Sequence, residues 1–327
     1  MNRSRLQRPL PYRGAAIALC ITTLVACGDE GRDPVTIPNV FDLAHDPTEG
    51  ISEVPENPGV VMTADALRNA LERDLALHGV TLVQAMRAIE SGSPSADGWI
   101  AELARNTDDI VSKVGAIYGP TGAFAFYQQW AQHTQFLADY AQAVRDGDDT
   151  AREAARTHLA SYTADSGKFF ERATGGQLPA DAVTDLLDEH VGHMQAMIDA
   201  VAADDDASAL AAAQTDNAYL AGIARGLSGA FVAQHPEWFP GDIDGPVPVY
   251  CSLVTVSTGD YLLRQFFAET PVTTDDEAFF TAVGAPLTEV LGPLEGIASP
   301  DPVIQANAAR QALDNAIAVG RAGAETP

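Results

Sequence analysis

Apolar residues between Ala64 and Ser91 recur at Leu67, Leu71, Leu75, Leu82, Ala85 and Ile89, spacings of three, four and seven that place them on one face of a helix. Thr63 stands where an N-cap belongs, and Asp65 places an acidic group in the first turn. The same stripe returns twice. Leu75-Ala76-Leu77-His78 aligns with Trp130-Ala131-Gln132-His133 and with Leu187-Asp188-Glu189-His190, and the three copies are almost evenly spaced along the chain. Leu82 then matches Leu137 and Met194, and Ile89 matches Val144 and Val201. Each copy ends in turn residues: Ser91-Gly92-Ser93-Pro94, Asp146-Gly147-Asp148-Asp149 and Asp204-Asp205-Asp206.

A second helical stretch follows each turn and repeats more weakly. Arg105-Asn106-Thr107-Asp108-Asp109 corresponds to Ser161-Tyr162-Thr163-Ala164-Asp165 and to Ala213-Gln214-Thr215-Asp216-Asn217, each with Thr, any residue, then Asp or Asn. The predicted unit is a helical hairpin of about 55 residues, with Gly119-Pro120 and Gly175-Gly176 separating the copies. A hairpin with one apolar face cannot stand alone. The expected fold is therefore all-α: an antiparallel six-helix bundle of three hairpin repeats over residues 63–235. Four prolines mark a connector at 236–247 and its edges. About three more helices follow over 248–322, near Pro248–Glu269, Thr274–Ile297 and Pro302–Ala322, with a loose tail at 323–327. Pro286 and Pro293 are expected to kink or split the middle one, which Thr273 or Thr274 caps.

The chain before Thr63 reads differently. Four arginines precede an apolar run from Ala15 to Ala26, too short for a bilayer span of about 20 residues. The run ends in Leu24-Val25-Ala26-Cys27-Gly28, which resembles the lipobox of bacterial lipoproteins. That resemblance implies a signal peptide over 1–26, lipidation of Cys27 and a chain held at the cell membrane or outer membrane, with its domain facing the extracytoplasmic space. Residues 27–62, rich in Asp, Glu, Pro and Gly, read as a flexible spacer. Two of the three cysteines belong to this region. Only Cys251 is left to the mature chain, which excludes an intramolecular disulfide, and its apolar neighbours mark it as an inert buried thiol.

Charge narrows the partners. The chain carries 45 acidic against 19 basic residues, a net charge of −26 that deepens to −30 without the four leader arginines. Such a surface repels nucleic acid, so the partners left are cations, proteins or the cell envelope.

Candidate chemistry rests on the repeat. His78, His133 and His190 hold equivalent positions, and Asp109, Asp165 and Asn217 hold equivalent positions on the partner helices. His193 lies one turn after His190. One reading makes these residues structural pegs that fix the register of an Ala-rich bundle. The other makes them ligands, since imidazole and carboxylate together suit a transition metal, or haem, in a bundle core. No catalytic residue is assigned: Gly-x-Ser-x-Gly, phosphate-loop and His-Glu-x-x-His patterns are absent. The expectation is a lipid-anchored binding or scaffolding protein, with a metal- or haem-binding bundle as the alternative.

The stretch Arg105-Asn106-x-Asp108-Asp109-Ile110, Tyr118-Gly119 after it, and His133 and His190 in the following copies resemble exported all-helical proteins of bacteria. That resemblance covers residues 63–235 and implies the helical fold and no activity.

Overall fold

The computed structural model describes residues 61–268, 274–282, 287–292 and 296–324. The leader, Cys27, nearly all of the spacer and both Pro286 and Pro293 lie outside these residues. Every regular element described is helical, in the order α1 (Ala64–Glu90), α2 (Ala96–Asp146), α3 (Asp149–Ala173), α4 (Ala180–Ala202), α5 (Asp206–Gln234), α6 (Pro246–Ala268), α7 (Thr274–Ala282), α8 (Leu287–Val290) and α9 (Pro302–Ala324). No described helix is long and apolar enough to cross a membrane.

Local chemistry explains most of the boundaries. The aspartates that read as helix stops also start the next helix. Asp148 accepts from the backbone N–H groups of Thr150 and Ala151 at the head of α3, and Asp205 accepts from Ser208 N–H at the head of α5. Thr63 differs from expectation, for its side chain caps nothing. The N–H of Ala64 instead bonds the carbonyl of Pro240, tying the start of α1 to the proline-rich connector.

The expected separator at Gly119-Pro120 is a kink and not a loop. The backbone-bond pattern of α2 runs through it, but Gly119 adopts φ 71°, ψ −177°. Pro120 offers no N–H to the turn before it, and only glycine holds this conformation without strain. The C-terminal helices also shift slightly: α6 starts at Pro246 and α9 runs to Ala324, just beyond the end predicted for it.

Helix α1 is central. It packs against α2, α4, α5, α6 and α9, so its polar side is buried along with its apolar stripe. Arg68 and Glu72 pair at 2.8 Å inside the fold, and Arg68 also reaches Asp244 at 2.9 Å. Asp74 is fully buried between Arg73 and Lys113. A buried charge is tolerated only with such partners. Helices α6 and α9 pack on each other and on α1 and add residues to the main core, while Val254, Tyr261, Phe280, Val290, Leu291 and Ala316 form a small second cluster.

Candidate functional site: a buried histidine triad

One histidine comes from each of three helices. His78 on α1, His133 on α2 and His190 on α4 are 0%, 1% and 3% exposed. One ring nitrogen from each lies within 4.8 Å of the other two. The Nε2 atoms of His78 and His133 are 3.3 Å apart. Two nitrogens bound to one tetrahedral ion at about 2.0–2.1 Å would stand about 3.3 Å from each other, so this pair already has the spacing of a shared ligand sphere.

The far side of two of the rings is held by a hydrogen bond, and that of His78 faces a polar group without one. His133 Nδ1 bonds the backbone carbonyl of Trp130, one turn earlier on α2. His190 Nδ1 lies 2.8 Å from Asp216 Oδ1 on α5. Asn106, on α2, donates through Nδ2 to the carbonyl of Asp74, which leaves its Oδ1 as the polar end beside His78, short of full hydrogen-bond geometry. Such outer contacts orient imidazoles so that the opposite nitrogen presents its lone pair.

Electrostatics favour the neutral, ligand-competent form. Burial, then repulsion from His133 and His190, holds His78 well below the usual imidazole range. Burial and His190 press His133 down to about 3, against a smaller opposing effect of the Trp130 carbonyl. Asp216 moves the other way for a carboxylate in a dry place. Burial acts to raise it, but His190 and His193 outweigh burial and leave it below its ordinary value. A metal ligand must be deprotonated to bind, and two of these three rings resist protonation.

Aromatic rings enclose the cluster. Trp130 stands with its ring centroid 4.9 Å from those of both His78 and His133, and Tyr162 stacks on His133 at 5.2 Å. Burial pushes the Tyr162 phenol up, and it bonds Ser166, which also receives Gln129 Nε2 at 3.0 Å. Two surface grooves of about 300 Å³ each, one at the α2–α3 turn and one between α1 and α9, include no triad residue in their walls.

The other sequence candidates fall elsewhere. Asp109 pairs with Arg310 of α9, and Asp165 pairs with Lys168 at the surface. Asn217 turns to α6, donating to the carbonyl of Val256 at 2.9 Å and to Asp260 at 2.8 Å. His193 stays outside the triad, with Nδ1 3.5 Å from Asp216, and that contact raises its affinity for a proton. Asn106 and Asp216 are the side chains that face the rings. They follow His78 and His190 at nearly the same remove along the chain, a relation the Thr-x-Asp alignment missed because its register was slightly off.

No known protein family, curated protein or solved structure matches this chain.

Proposed function

We propose that this chain is a lipid-anchored extracytoplasmic protein whose helical domain binds a single divalent transition-metal ion through His78, His133 and His190. The observation that carries the reading is the convergence of three buried imidazole nitrogens within 4.8 Å. Pegs that each served only their own partner would have no need to converge, yet His133 and His190, besides the Trp130 carbonyl and Asp216 that they pair with, lie with His78 around one point. Nitrogen donors of this kind suit zinc, copper, nickel or ferrous iron. A donor set that closes on a point in a packed core fits a lone ion better than a porphyrin.

The same reading takes α1 to α5, with α2 divided at Gly119, as three copies of one hairpin in a six-helix antiparallel arrangement. Equivalent positions, almost evenly spaced along the chain, then deliver one histidine each to a common centre. Lipid on Cys27 would hold the domain at the membrane, and the acidic chain would favour cations near it.

The test is metal analysis of the full chain purified in detergent, beside the triple variant His78→Ala, His133→Ala, His190→Ala. One equivalent of metal is expected in the parent and none in the variant. Equal, substoichiometric metal in both would leave a structural cluster and remove the metal reading. For the anchor, Cys27→Ala should move the chain out of the membrane fraction, and unchanged partitioning would count against lipidation.

A further inference from the structure

We propose that the metal held by the triad keeps a fourth position for a monoanion of one to three heavy atoms, and that the indole N–H of Trp130 holds this anion. The inference rests on the single-ion reading above and adds the class of ligand.

Three independent features point to it. The first is coordination number. Three protein nitrogens leave a tetrahedral ion one ligand short, and no carboxylate or thiol among the described residues completes the set. The second is charge. Coordinated imidazoles are neutral, so with His193 neutral as well, a divalent ion and the Asp216 carboxylate leave one uncompensated positive charge in a fully buried site. Asp74, another buried carboxylate, is already engaged by Arg73 and Lys113. A single negative charge at the ion brings the total to zero, which the dry interior strongly favours.

The third feature is a donor with nothing to donate to. Trp130 is 7% exposed, and its Nε1 is buried with no hydrogen-bond partner. Its ring centroid lies 4.9 Å from those of both His133 and His78, with the planes at 83° and 58°. Buried indole N–H groups ordinarily find an acceptor, and an anion on the ion would supply one here. The size limit follows from burial: a ligand larger than a few atoms would force α1, α2 and α4 apart.

Azide and cobalt(II) are the probes. The full chain in detergent, loaded with cobalt(II), should show the visible bands of a four-coordinate ion, and azide should change them with saturation. Trp130→Phe should take up cobalt equally and bind azide about tenfold more weakly, the loss of one hydrogen bond to a charged acceptor. In the parent loaded with zinc, one of the three indole N–H resonances should move on azide addition; this readout stands even where the variant does not fold. Cobalt binding without an azide response, an unmoved set of indole resonances, or equal azide affinity in a folded Trp130→Phe would overturn the anion site and leave the metal reading intact. Absence of cobalt uptake by the parent would overturn both.

Discussion

Asp216 Oδ1 and His190 Nδ1 lie 2.8 Å apart, with both residues buried and on neighbouring helices α5 and α4. An ionised carboxylate only accepts, so Nδ1 carries a proton, and in the neutral ring this leaves the lone pair on Nε2. The pair thereby fixes the tautomer of His190 that ligation requires. His193, reaching Asp216 from the next turn of α4, links this hydrogen-bonded pair to a partly exposed ring.

Asp216→Asn should lower metal affinity by about 10- to 100-fold without abolishing binding, the usual effect of losing an outer carboxylate. Competition with a chelator of known affinity measures it. An unchanged affinity would show that the carboxylate serves packing alone.

The metal-free protein should lose stability on mild acidification. His78 and His133 bind protons less readily when folded than when unfolded. Unfolding therefore takes up protons once the pH falls below the unfolded value of about 6.5. The stability that depends on these rings is present above that pH and declines as pH falls towards the folded value. For each ring the slope approaches about 1.4 kcal/mol per pH unit. Denaturant midpoints between pH 7 and 4.5 should fall in the parent and fall less in His133→Phe.

Added metal should stabilise the parent in proportion to the logarithm of its excess over the dissociation constant, by about 4 kcal/mol at a thousandfold excess. His133→Ala should remove that increment. A denaturation series with and without zinc, run on both proteins, distinguishes a bound ion from a nonspecific salt effect, which would appear in both.

The kink in α2 should be intolerant of side chains. Gly119→Ala forces a β-carbon onto a backbone with φ 71°, ψ −177°, at a cost of about 1–3 kcal/mol. Gly122→Ala adds a β-carbon that would collide with Cβ of Tyr118, so a comparable loss is expected from overpacking. Thermal unfolding of each variant reports the effect. Gly147→Ala, at a left-handed but uncrowded cap, should cost less than Gly122→Ala if the collision dominates.

The histidines were legible as a set because the sequence gives each the same place in a similar apolar pattern, and the three rings do lie together. Their partners were less so. Asp109 is one helical turn from Asn106 and shares its face, yet it lies far enough along α2 to meet Arg310 of α9, a contact made across 201 residues. Asn217 is adjacent to Asp216, and that single step of about 100° around α5 turns it from the triad to α6. The burial of Arg68, Glu72 and Asp74 was equally hidden. Periodicity reveals which face of α1 is apolar, but not that other helices cover its polar face as well.

The rings of His78, His133 and His190 are far apart along the backbone, with two whole helix-and-turn segments separating the first from the last. An ion seated there would act as a removable cross-link, pinning two consecutive loops of nearly equal contour. Its effect would fall on the folded state, which alone brings the three rings together, and on the rate at which α4 can peel away from α1. Scavenging the ion would thus loosen the association of whole segments before it altered any single one of them.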